Sequence, residues 1–161
     1  MKINKLLILL LCVAATAQAQ LKFNPGNKEV KLENEEGINT SNLEFAPVFY
    51  KDGIVFTTTQ SAGGRYAIED SRINENLMTL WSATRNGESL DDAKVLGKEL
   101  LTDVHTLGVT FNSTGEVMYF TRNDSRATSN SSDGSLKKLN IYSAQNVGGK
   151  WENITQMTFN E

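Results

Sequence analysis

The chain repeats itself once, and this repeat limits the available folds more than any other feature. Phe49 is followed by three residues and then Gly53, and Phe111 is followed by three residues and then Gly115. The two phenylalanines lie 62 positions apart. The run 80–83, Leu-Trp-Ser-Ala, is answered 61 positions later by Ile-Tyr-Ser-Ala. Two separate landmarks at nearly the same spacing indicate two tandem units of about 60 residues.

Each unit contains short runs rich in Val, Ile, Phe, Tyr, Trp and Thr that are bounded by Gly, Asn, Asp or Ser, a pattern typical of β-strands. The first turn of the second unit runs through 113–115, where Gly115 can adopt the positive φ that such turns often need. We predict four strands per unit, at 47–50, 54–59, 78–84 and 93–96 in the first and at 107–112, 116–122, 138–145 and 150–155 in the second.

Two of these strands have continuous apolar runs, at 54–56 and 117–120, so both of their faces are expected to be buried between neighbouring sheets. A repeated four-stranded antiparallel unit that covers its neighbour is the blade of a β-propeller. The predicted fold is therefore all-β, a partial β-propeller with two four-stranded antiparallel blades and the start of a third. A two-sheet β-sandwich is the alternative.

The N-terminus has the pattern of a secretory signal peptide. Lys2 and Lys5 precede an apolar run at 6–15, and Ala17-Gln18-Ala19 follows as a small-residue cleavage signal. This run is too short to span a membrane, which takes about 20 apolar residues. We expect an exported protein whose mature form begins at Gln20 or Leu21 and has no transmembrane span.

Cys12 is the only cysteine, and it lies inside this apolar run. Leu11 precedes it, where lipoprotein signals place a small residue, so Cys12 is interpreted as an ordinary part of the run. The mature chain then has no disulfide and depends on its hydrophobic core. The formal net charge of −3 argues against nucleic acid as a partner.

The repeat also sets the predicted domain organisation. The segment 28–34 is a candidate outer strand that would close a ring with a last blade. We predict a signal peptide at 1–19, an N-terminal segment at 20–37, blade 1 at 38–99, blade 2 at 100–158 and the start of a third repeat at 159–161.

One family shares the order of these features. The matching positions are Pro47, Asp52-Gly53, Met118-Tyr119-Phe120, Ile141-Tyr142 and Trp151. Over about residues 38–161 the chain resembles the WD-repeat-like propeller repeats of the TolB type. These occur in exported envelope proteins of Gram-negative bacteria, often ahead of an OmpA-type domain. The chain departs from the family at Leu107-Gly108, where the proline is missing, and at Thr114, where the turn lacks Asp.

The resemblance implies a non-enzymatic binding or scaffold module in the periplasm or at the outer membrane. It would bind a protein or cell-envelope partner through the propeller rim, without catalytic residue, cofactor or metal. Two alternatives are a glycosidase propeller and an accessory propeller of a secreted hydrolase. The first often repeats a Ser-x-Asp-x-Gly-x-x-Trp turn and the second needs a G-x-S-x-G elbow in its catalytic domain, and this sequence contains neither.

Two features are candidate sites. His105 is the only histidine, and a structural hydrogen-bonding role is the favoured interpretation over a chemical one. The loops 60–76 and 123–137 join the second and third strands of each unit, so they should emerge on the same side. Their polar composition leaves three alternatives: a disordered loop, a partner-binding rim, or a calcium loop at Asp124 and Asp133, whose spacing fits poorly.

Overall fold

The computed structural model describes residues 32–123 and 139–159. The chain divides into two compact units, Met1–Glu33 and Asn34–Glu161, and the fold below is that of the second. The predicted signal peptide at 1–19 lies outside the described residues, as does most of the candidate closing strand at 28–34. The described part of that candidate, 32–34, is not in a strand.

The regular secondary structure of the described part of the chain is almost entirely strand, which confirms the predicted all-β class. It contains only two short 3-10 turns besides, and none of its helical segments is long or apolar enough to cross a membrane. The strands are β1 (Glu44–Tyr50), β2 (Gly53–Thr58), β3 (Glu69–Asp70), β4 (Glu75–Asn76), β5 (Thr79–Asn86), β6 (Ser89–Val95), β7 (Thr106–Phe111), β8 (Val117–Asn123), β9 (Leu139–Val147) and β10 (Lys150–Gln156).

Eight of the strands form two four-stranded antiparallel sheets. The first sheet has the order β1-β2-β5-β6 and the second the order β7-β8-β9-β10, so each sheet is a meander of neighbouring strands. The strands β3 and β4 pair separately as a small hairpin between β2 and β5. Neither sheet closes on itself, and the two fall within the predicted units 38–99 and 100–158.

The β3–β4 hairpin lies in the segment 60–76, for which a loop is predicted. The other eight strands agree with the predicted ones to within a few residues, and the largest difference is at the end of the first sheet. There β5 continues to Asn86, β6 begins already at Ser89, and a tight turn through Gly87 joins them. The residues around this turn are polar and exposed, so the sequence lacks the apolar pattern that would have predicted them as strand.

The pairing register shows which residues of the two sheets are equivalent. Phe56 pairs with Trp81 in the first sheet, as Phe120 pairs with Tyr142 in the second. Equivalent residues of β5 and β9 are 61 positions apart, whereas those of β2 and β8 are 64 apart. The difference of three arises between these strands, because the paired residues Phe56 and Trp81 are 25 positions apart whereas Phe120 and Tyr142 are 22 apart.

The main core lies between the two sheets, whose facing sides we call the forward face of the first sheet and the backward face of the second. Val55 and Leu80 come from the forward face, and Leu100 comes from the connection between the sheets. The backward face contributes Val109, Met118, Phe120, Ala144 and Trp151. Two sheets packed over one core fit both predicted alternatives, a propeller and a sandwich.

A second cluster covers the backward face of the first sheet. Ile54, Phe56, Trp81 and Ala83 are all buried there, with Ile38 packed against them. Both faces of the 54–56 run are therefore buried, as predicted, but in the described part of the chain a neighbouring sheet covers only the forward face.

The same prediction is wrong for the run 117–120, where burial alternates. Met118 and Phe120 are buried, but Tyr119 between them points to the other side of the sheet and is 38% exposed. The four-residue apolar run gave no sign of this because a Tyr tolerates a half-exposed position.

Bulges in the first strand of each sheet place Ala46 and Gly108 at equivalent positions. Both adopt a left-handed backbone, with φ of 51° and 53°. Such a φ costs a residue with a Cβ roughly 1 kcal/mol and costs glycine nothing. No atom lies within 4 Å of a Cβ built at Gly108, so conformation alone decides the effect of a substitution there.

We therefore expect substitutions at these two bulges to change stability in opposite directions. Ala46→Gly should raise the free energy of unfolding by up to about 1 kcal/mol, and Gly108→Ala should lower it by about 1 kcal/mol. Urea denaturation of the two variants beside the parent protein checks both. A loss of stability in Ala46→Gly would show that this bulge is not strained.

Candidate functional site

His105 lies just before β7, at the point where the connections of the two sheets meet. Its Nδ1 accepts a hydrogen bond from the backbone N–H of Met78 at 3.0 Å, so the ring proton is on Nε2. Nε2 donates this proton to Oδ2 of Asp70 at 2.8 Å. Both ring nitrogens are therefore bonded to the protein, and the ring is buried.

Asp70, in the short strand β3, is held from its other side by Arg72. The Nε of Arg72 donates to Asp70 Oδ1 at 2.9 Å, and its Nη2 donates to Oδ2. The backbone N–H of Arg72 also donates to Oδ1, at 3.0 Å. The hydrogen bond from the Arg72 side chain lowers the pKa of Asp70 far below its usual range, although burial of the carboxylate acts in the opposite direction.

These contacts join the two sheets, and we call Asp70, Arg72, Met78 and His105 the clamp. Beside the bond from Met78 to His105, the N–H of Thr106 in β7 donates to the carbonyl of Met78 at 2.9 Å. Asp70 and Met78 belong to the first unit, whereas Thr106 is the first residue of β7 in the second sheet and His105 directly precedes it. The clamp therefore fixes the second sheet to the connection between β2 and β5.

A cleft of about 480 Å³ lies over the clamp. It opens at the end of the sheets where β2 leads into the β3–β4 hairpin. Its walls include Ser71, Arg72, Asp103, His105 and Asn123. The side chain of Arg72 is 69% exposed although its guanidinium is bonded to Asp70, so it combines a structural contact with an accessible surface.

The segment 60–76 is ordered, which corrects the disordered alternative for this loop. It contains a 3-10 turn, Gly64–Tyr66, and the β3–β4 hairpin. The hydroxyl of Thr59 donates to Glu75 at 3.0 Å, which ties the hairpin to the end of β2. Asp70 is buried and fixes the hairpin in place, and the polar composition of this loop does not predict a buried residue.

The second loop, 123–137, is described only at Asn123, the last residue of β8, which lines the cleft. The calcium candidates Asp124 and Asp133 lie outside the described residues. Within residues 32–123 and 139–159 no group of three or more His, Cys, Asp or Glu side chains converges as metal ligands.

A second groove lies at the opposite end of the interface between the sheets. It holds about 340 Å³, and Tyr50, Lys94 and Asn146 are among its walls. The ring of Tyr50 stacks on Phe111 at 4.2 Å between centroids, and its hydroxyl accepts a bond from Asn146 at 3.3 Å. These contacts again join the first sheet to the second.

The clamp resembles the carboxylate–imidazole pair of many enzymes but lacks a free base. In such a pair one ring nitrogen must be able to take a proton from the substrate. In the clamp that nitrogen, Nδ1 of His105, already accepts the N–H of Met78. The observed geometry is thus that of a structural hydrogen-bonding histidine.

Comparison of the chain with protein-family models, with curated proteins and with solved structures gives no match.

Proposed function

We propose that the chain is a non-enzymatic, exported module of the β-propeller type that binds a protein or cell-envelope partner. It would act in the periplasm or at the outer membrane of a Gram-negative bacterium, in association with OmpA-family proteins. The partner would bind at the rim of the sheets, over the cleft that contains Ser71 and Arg72.

The observation that carries this proposal is the stacking of two equivalent sheets, each a four-stranded antiparallel meander. Propellers and related repeat folds present such sheets as rigid supports and commonly bind partners with the loops at their ends. The clamp supports a non-enzymatic role, since its histidine is committed to the contact between sheets. The signal-peptide pattern at 1–19 supports export, and the OmpA association comes from the sequence resemblance alone.

Site-directed photocrosslinking in living cells tests the proposal. A photoreactive residue at Ser71 lies in the wall of the cleft, and one at Glu88 lies in the β5–β6 turn, at the end of the first sheet away from the β3–β4 hairpin. Both positions are exposed, so they are matched in accessibility. We expect the exported protein to form a discrete adduct from position 71 in the envelope fraction and none from position 88.

Equal adducts from both positions would contradict a rim site at the cleft. Recovery of the protein with Met1–Ala19 retained and in the cytoplasmic fraction would contradict export. Intact-mass measurement on the fractionated protein distinguishes these two failures.

A further inference from the structure

The forward face of the second sheet carries apolar side chains that are partly exposed to solvent. Tyr119 and Ile141 are each 38% exposed. They lie on one side of the sheet together with Thr121. Thr121 pairs with Ile141, and Tyr119 is two residues before Thr121 in β8, so its side chain is on the same face. These side chains line a shallow cavity of about 290 Å³ that also reaches Gly108 and, on the first sheet, Ala46.

The equivalent side chains of the first sheet are completely covered. Register places Val55 at the position of Tyr119 and Leu80 at the position of Ile141. In the first sheet these two residues are 0% and 3% exposed, because the second sheet packs on them. The forward face of the second sheet therefore resembles the forward face of the first sheet, which the second sheet covers.

The residues that cover such a surface are also repeated. On the backward face of the second sheet, Phe120 and Ala144 pack into the core. At the equivalent positions the first sheet has Phe56 and Ala83. Each unit therefore carries both halves of one interface, a backward face with Phe and Ala and a forward face with β-branched, Leu or Tyr residues.

A hydrogen bond across this interface supports the same conclusion. The N–H of Gly108, in the bulge of β7, donates to the hydroxyl of Thr57 on the first sheet at 3.1 Å. Thr121 is the equivalent of Thr57 by register, and it presents its hydroxyl on the open forward face. A further sheet stacked in the same way would place its own bulge N–H against Thr121.

We propose that the forward face of the second sheet is an interface for the backward face of a further unit of this repeat, joined in tandem. The proposal rests on the propeller-type stacking proposed above, but not on the rim partner or the location. A second copy of the chain is the less suitable occupant, because the backward face that it would offer is already covered: Phe56 is 2% exposed.

A tandem chain and a pair of cysteines test the proposal. In the full chain, with Cys12→Ser, residues 100–159 are duplicated after residue 159. Thr121→Cys reports on the open face, and Thr57→Cys, the same substitution at the equivalent covered position, is the control. The readout is the rate at which a maleimide labels each cysteine.

In the original chain we expect fast labelling of Thr121→Cys and at least about a hundredfold slower labelling of Thr57→Cys, because covered thiols react only through opening of the structure. In the tandem chain Thr121→Cys should become at least about tenfold slower, and the added unit should gain amides protected from hydrogen exchange.

Unchanged labelling of Thr121→Cys in the tandem chain would overturn the proposal. An added unit without protected amides would also overturn the proposal, because packing on the forward face should fold the added unit. Protection of Thr121→Cys that grows with the concentration of the original chain would assign the face to a second copy instead. None of these outcomes depends on the crosslinking result, so failure of the rim site and failure of this interface are distinguishable.

Discussion

Phe120→Ala is expected to lower the free energy of unfolding by about 3–5 kcal/mol, the range found when a buried Phe is truncated. The side chain is 1% exposed and lies in the core between the sheets. It stacks on Tyr142, with 5.8 Å between ring centroids, and the guanidinium of Arg122 lies 4.9 Å from its centroid. Truncation therefore leaves a cavity and removes two ring contacts together. Chemical denaturation monitored by circular dichroism measures the change.

Tyr119→Ala is the matched control, because it removes an aromatic side chain from the next position of the same strand. Tyr119 is 38% exposed, so its truncation should cost less than about 1 kcal/mol in the chain alone. Equal losses from the two variants would mean that the core does not lie on the Phe120 side of the sheet.

The eight strands of the two main sheets and their order could be predicted from the sequence because their signal is local, whereas the short β3–β4 hairpin could not. Apolar runs bounded by Gly, Asn and Asp mark strands and turns without reference to the rest of the chain. Gly115 has the expected positive φ, of 72°, in the predicted turn. In the first unit the positive φ falls instead on Lys51, which no residue preference indicates.

Which faces are covered could be predicted only in part, for the run 54–56 but not for the run 117–120, because burial depends on how the sheets stack. Two stacked blades without other neighbours would expose their outward faces, and Phe56, Trp81, Tyr119 and Tyr142 are the aromatic candidates for these faces. For the first sheet this is wrong, since Phe56 and Trp81 are 2% and 7% exposed. Tyr142 packs against the main core, and of the four only Tyr119 lies on an open face. The alternation of residues along a strand shows which side chains share a face, but not which element packs on that face.

Of the candidate site, His105 could be singled out from the sequence, but its partner Asp70 could not. A lone histidine attracts attention, and His105 lies at the contact between the sheets. Its partner Asp70 is 35 positions away in a polar loop, where an Asp is expected to be solvated. Only the Asp-Ser-Arg order at 70–72 hints at a local turn, and pairing with His105 depends on tertiary structure.

Asp70→Asn is expected to destabilise the protein by about 2 kcal/mol at pH 7, because it removes the charge from a buried, hydrogen-bonded group. The effect should be smaller than that of a fully buried ion pair, since Arg72 is 69% exposed and water screens its charge. Glu69→Gln is the matched control. It makes the same charge change at the neighbouring, exposed residue of β3, and it should change stability by less than about 0.5 kcal/mol.

The pH dependence of this difference identifies its cause. The folded pKa of Asp70 lies well below the unfolded value, which is about 3.9. A carboxylate with a lowered pKa adds stability above its unfolded pKa and loses it as the pH falls toward its folded pKa. The gap between the parent protein and Asp70→Asn should therefore be constant from pH 7 to about 5 and narrow steadily from about pH 4 to 2.5. A gap that stays constant down to pH 2.5 would mean that the variant disturbs packing in the clamp, and that the charge of Asp70 does not hold the two sheets together.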